Sequence, residues 1–170
     1  MCIRDRSNEY HLSVVLKESL ISDGLNIEVI NGSVSGSTSS GGLNRAEWTL
    51  SEVDIDLMIL GLGANDMLRG INPKETKKNL EQIIKIAQDK SIEVVLAGMI
   101  APSSHGFKYK KNFDKIYPDL SKKYKLTLIP FLLEGVALKP KYNLSDGIHP
   151  NKKGTIIISN TLKKVILNKL

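Results

Sequence analysis

Two continuous apolar runs constrain this chain most: DLMILGLG at residues 56–63 and IEVVLAGMI at residues 92–100. Neither alternates with polar residues, so each reads as a strand buried on both faces. Between them lies PKETKKNLEQIIKIAQDK, residues 73–90, which starts with proline and sets Leu80, Ile83, Ile84 and Ala87 on one helical face. Strand, helix and strand in that order predict a parallel sheet with helices packed against it. Shorter strands are expected at 25–31 (LNIEVIN) and 126–131 (LTLIPF). Further helices are expected at 10–22, at 43–53 and at 109–124, the last with a break or kink at Pro118. Asn151 can cap a final helix, although the three isoleucines at 156–158 are also strand-prone. The expected fold class is α/β, a three-layer α/β/α sandwich in one domain over residues 1–170.

Composition narrows the function classes. The chain is 41% hydrophobic and 25% charged, ordinary for a globular protein. The formal net charge is +6. The lysines behind it are scattered and concentrated on candidate helices, without interleaved aromatics or a nucleic-acid motif. A solvated surface is therefore preferred to a nucleic-acid or membrane-binding face. No apolar run is long enough to span a membrane, and a monomer is expected. Cys2 is the single cysteine, which excludes a disulfide framework and a thiolate metal site.

Ligands of such sheets sit beyond the carboxyl ends of the strands, and three segments are placed to arrive there. In SDGIHPN, residues 145–151, Asp146-Gly147 favours a tight turn. That turn can bring the Asp146 carboxylate back to a ring nitrogen of His149, and Pro150 biases His149 toward an extended backbone. An Asp–His pair fixes the imidazole tautomer and stabilises imidazolium, as a general base for serine requires. Taken alone, a surface turn whose aspartate caps the next helix explains the segment better. In GLGANDML, residues 61–68, the Asn65 amide can donate to a developing oxyanion, or the Asn–Asp pair can satisfy its own turn. In GSVSGSTSSGG, residues 32–42, there is neither a P-loop ending nor a G-x-G-x-x-G pattern, so nucleotide binding is discounted. Gly36 there can offer a backbone N–H that a substrate oxygen approaches closely.

Together the order and spacing of NGSVSGST, LGLGANDMLRGINPKET and LSDGIHPNKKG resemble the second, third and fifth blocks of the SGNH (GDSL) hydrolases. Within that family the likeness is greatest to bacterial multifunctional thioesterase/lysophospholipase/arylesterase enzymes, and IYPDLSKKYKLTLIPFLLEGVALKPKY shares it. It runs from about residue 9 to the C-terminus. The resemblance implies a flavodoxin-like SGNH fold. It also implies a serine esterase or thioesterase acting on acyl esters, acyl thioesters or lysophospholipids. His149 would be the base, Asp146 its orienting acid, and Gly36 (backbone N–H) and Asn65 (side-chain amide) oxyanion donors. His105 would lie in a loop shaping the acyl site. No metal or cofactor is implied. The other readings are a non-catalytic acyl-binding module and a carbohydrate esterase of the same family.

The nucleophile is the gap. The family carries it in a G-D-S-L block at the end of a central first strand, and this sequence has no such block. Ser7 lies near the right place but follows neither a strand nor Gly-Asp; the serines at 33, 35, 37, 39 and 40 belong to the second block. In place of the first strand stands MCIRDR, which reads as ATG-TGT-ATA-AGA-GAC-AG plus one base, a transposon end used in sequencing libraries. The expectation is an adapter, residues 1–6, joined to a truncated gene. Cys2 would then be foreign, and the central strand, the nucleophile and any signal peptide lost. The complete protein would be periplasmic or secreted, and the chain as written inactive. The alternative is a divergent but genuine N-terminus.

Overall fold

In the computed structural model, residues 11–51 and 54–169 are described. Cys2, Ser7 and the expected adapter junction at 1–6 lie outside them. The described residues form two compact units, one of Gly36–Leu132 and the other of residues 11–35 with 133–169.

The first unit is built on the two apolar runs. They form β1 (Leu57–Leu60) and β2 (Glu93–Ala97), and LTLIPF supplies β3 (Thr127–Ile129). The strands run parallel in the order β1-β2-β3, with Leu60 opposite Leu96 and Ala97 opposite Ile129. Parallel neighbours need long crossovers. α3 (Ala64–Leu68) and α4 (Pro73–Asp89) fill the first, and α5 (Phe107–Asp114) and α6 (Ile116–Tyr124) the second. Asn72 caps α4 by accepting from the Lys74 N–H, and Pro73 stands where its missing N–H costs nothing. The predicted apolar face of α4 is buried: Leu80, Ile83, Ile84 and Ala87 are each no more than 3% exposed. Burial of each large aliphatic contributes roughly 1.5–3 kcal/mol relative to exposure.

Four sequence expectations are corrected in detail. β2 is buried almost throughout, but β1 is only half-buried until Leu60. Its first three residues thus fall short of the expected burial on both faces, and among the described residues β1 has one hydrogen-bonded neighbour. The second helix starts earlier, as α2 (Ser39–Thr49), because Thr38 caps it by accepting from the Gly41 N–H. The expected helix at 109–124 breaks at Lys115, between α5 and α6. Pro118 does not cause the break: it lies in the first turn of α6, where a missing N–H is harmless. Residues 25–31, the expected strand, belong to the second unit and form none. They keep the strand's alternation, with Leu25, Ile27 and Val29 half-buried and their neighbours exposed, but a ladder needs a partner. Among the described residues none pairs with them.

In the second unit, α1 (Leu12–Ser22) packs on α7 (Lys152–Leu167). Leu16 and Leu20 are buried on one helix; Ile158, Leu162 and Ile166 are buried on the other. Tertiary packing thus makes the triple isoleucine helical. Lys163 pairs with Asp23 at 2.6 Å and donates to the Ser19 carbonyl, tying α7 to the end of α1. Asn151 caps α7 as expected, accepting from the Gly154 N–H.

Candidate functional site

In the first unit the site residues gather where β1 ends. The chain leaves β1 through Gly63, which opens α3 at φ +109°. A Cβ there would lie 2.3 Å from the Tyr117 hydroxyl, which donates to the Leu62 carbonyl at 2.9 Å. Only glycine combines that backbone with that contact. Tyr117 is buried, and burial drives its phenol well above the ordinary range, so it acts as a fixed neutral donor.

This turn presents Asn65 and Arg69 one helical turn apart. The Asn65 amide donates to the Ser37 carbonyl at 3.0 Å, and the Arg69 guanidinium donates to the Gly36 carbonyl at 3.0 Å. Two side chains therefore hold consecutive carbonyls of the serine-glycine loop, in which Gly36 has φ +72°. A primary amide has two N–H donors, so the bond to Ser37 accounts for half of the Asn65 amide's donor capacity.

Asp66, between them, is 1% exposed. Its carboxylate accepts from the Ser39 N–H at 2.8 Å, from the Ser39 hydroxyl and from the Thr76 hydroxyl at 3.2 Å. A buried carboxylate needs such a donor set. Asn79 completes it by donating to the Ser39 hydroxyl at 3.0 Å. Asp66 thus welds α2, α3 and α4 together beneath Asn65. Sequence reasoning treated it as a turn residue and missed it, along with Arg69 and Tyr117.

His105 is half-buried. Its Nε2–H donates to the Met67 carbonyl at 2.8 Å, and its ring lies 5.2 Å from that of Tyr109. Tyr109 donates to the Ile71 carbonyl at 3.0 Å. His105 and Tyr109 therefore support the turn that follows Asn65.

In the second unit, SDGIHPN closes on itself. The Asp146 Oδ1 accepts the backbone N–H groups of Ile148 and His149, each at 2.9 Å, and Oδ2 lies 2.8 Å from His149 Nδ1. A carboxylate only accepts, so Nδ1 carries a proton, and in the neutral ring Nε2 is then the nitrogen with the lone pair. These bonds, led by the His149 and Ile148 N–H groups and joined by the His149 ring, lower the Asp146 carboxyl to about 2. Asp146 does not cap the next helix; Asn151 does. Gly147, at φ +70°, lets the turn fold, and its N–H donates to the Leu144 carbonyl at 2.9 Å. Asn143 anchors one end, donating from the buried side to the carbonyls of Val136 and Lys139. Asn151 anchors the other, donating to Lys141 and Asn143 carbonyls. Asn143 stands two residues before the segment that sequence reasoning singled out, and was missed.

Residues 6–155, which contain all three segments, match the GDSL-like Lipase/Acylhydrolase family. The chain belongs to that family. The chain is 39% identical over 136 residues to an arylesterase of Vibrio mimicus, a match covering 80% of the chain and 68% of the relative. It is 37% identical to a thioesterase 1/protease 1/lysophospholipase L1 of Escherichia coli, again over 80% of the chain but 65% of the relative. The crystal structure of TesA is 30% identical, with a TM-score of 0.92 over 98% of this chain and 93% of that structure. The expected α/β fold with a parallel sheet is therefore the fold of the family. Among the described residues no group of three or more His, Cys, Asp or Glu side chains is arranged to hold a metal ion.

Proposed function

We propose that this chain carries the acid–base pair and two oxyanion donors of a serine acyl-hydrolase acting on acyl esters, acyl thioesters or lysophospholipids. The observation behind the reading is the Asp146–His149 turn, with Nδ1 held at 2.8 Å and Nε2 left as the basic nitrogen. In the proposed reaction His149 Nε2 takes the proton of an attacking serine, and Asp146 stabilises the imidazolium. The Asn65 amide and the Gly36 N–H would stabilise the oxyanion, and water would release the acid. The sequence holds no Gly-Asp-Ser-Leu block. The chain as written is therefore proposed to lack the nucleophile and to be inactive. The test is turnover of a p-nitrophenyl ester by the purified chain, beside a Ser7→Ala variant. No turnover is expected from either; turnover abolished by Ser7→Ala would instead make Ser7 the nucleophile.

A further inference from the structure

The second unit exposes an apolar patch beside the His149 turn. Leu138 is 90% exposed, Ile148 52% and Leu144 42%. Leu138 and Leu144 line one open groove together with Pro140, Asn143, Ser145 and Gly147. Leu138 is held there at a backbone cost. It sits at φ +61°, a conformation that bulky L residues seldom adopt, in a turn closed by the Lys139 N–H on the Val136 carbonyl. Val136 is fully buried and anchors that turn, which holds the leucine out in water.

The surroundings of the patch are basic. Lys139, Lys141, Lys152 and Lys153 are exposed on the same stretch, residues 133–153, against two carboxylates, Glu134 and Asp146. Asp146 is already engaged by His149. The Lys141 ammonium lies 4.6 Å from the Tyr142 ring centroid, which pairs a cation with an amphipathic aromatic at the patch.

We infer that this patch is an interfacial docking site for an anionic lipid surface. Leu138, Leu144 and Ile148 would enter the boundary between headgroups and acyl chains, and the lysines would meet the lipid phosphates. Exposed apolar side chains on a lysine-rich stretch are what peripheral binding to anionic lipid requires. A second copy of the chain fits worse, because a two-fold contact through this patch would bring lysines against lysines. This is surface contact, not insertion: among the described residues no helix is long and apolar enough to cross a membrane.

The inference does not depend on the catalytic reading, since it is tested without hydrolysis. The full chain is sedimented with phosphatidylcholine vesicles, with or without phosphatidylglycerol. Binding is expected only with the anionic lipid, and weaker as salt rises above roughly 0.15 M. Lys139→Glu with Lys141→Glu should weaken it about tenfold or more. Leu138→Asp should weaken it about tenfold. Leu138→Gly should cause a similar loss while leaving the thermal midpoint unchanged or raised, because glycine accepts the left-handed backbone; that separates lost binding from lost folding. No binding to anionic vesicles would overturn the inference. So would binding that all these variants retain, or a Leu138-dependent dimer without vesicle binding.

Discussion

The two turns that carry the candidate site are held in opposite ways. At residues 63–69 the aspartate is buried and its partners are distant in sequence: Ser39 lies 27 residues away and Thr76 ten. At residues 144–149 the aspartate is exposed, and the partners of its carboxylate lie within three residues. Both turns use a positive-φ glycine and an aspartate accepting three hydrogen bonds. One aspartate serves the assembly of helices; the other serves a single histidine. An acid that acts on a neighbour's chemistry can tolerate water, because its geometry is local. An acid that joins three helices cannot, because each unpaired donor would be buried.

The largest difference between the two turns should be catalytic. When a first strand ending in Gly-Asp-Ser-Leu is supplied ahead of residue 9, hydrolysis of a p-nitrophenyl ester is expected. His149→Ala should then remove on the order of 10⁶ in turnover. Asp146→Asn should remove on the order of 10⁴, because the amide can present a donor to Nδ1 and select the wrong tautomer. Asn65→Ala should cost about 10²–10³ in turnover with little change in KM, the size of one oxyanion donor. Activity unaffected by His149→Ala would leave SDGIHPN as a structural turn.

Stability should sort the two aspartates the other way. Asp66→Ala strands the Ser39 N–H and two hydroxyls in the interior, and should cost roughly 3 kcal/mol or more in urea unfolding. Asp146→Ala should barely move the same transition. Equal losses would erase the distinction between the turns.

The smallest expected effect concerns pH. Asp146 is lowered from an ordinary 3.8 to about 2. Its contribution to the turn is therefore complete above about pH 4 and is lost as pH falls from there through about 2. Carboxylate resonances followed by NMR should place its midpoint near 2. A midpoint near 3.8 would mean that the turn does not hold in solution.

The same contrast explains what was legible in the sequence. The Asp146–His149 contact was readable because Asp-Gly specifies a turn and Pro150 restricts its neighbour, all within a few residues. β2 and α4 were readable because Val94–Leu96 belong to an unbroken apolar run, as in a strand buried on both faces, and Leu80–Ala87 repeat with the period of an amphipathic helix. The start of α2 was not readable. Ser-Ser-Gly-Gly has weak helical propensity, and only the Thr38 cap and the bond from Ser39 to a carboxylate 27 residues away make it helical. Nor was the state of residues 25–31, whose alternation was read correctly but whose lack of a described ladder partner no local pattern encodes. Pro118 misled for a related reason: proline breaks a helix interior but suits a first turn, and the boundary at Lys115 decides which applies.

In the proposed reading, Asp146 already poises the His149 ring as a base. The direct measurement is the ¹⁵N imidazole spectrum of His149 in the chain as it stands, at a pH where the ring is neutral, with Asp146→Asn beside it. The Nδ1–H tautomer, with Nε2 unprotonated, is expected, and that preference should be lost in Asp146→Asn. An Nε2–H tautomer, or a tautomer mixture that Asp146→Asn leaves unchanged, would contradict the reading.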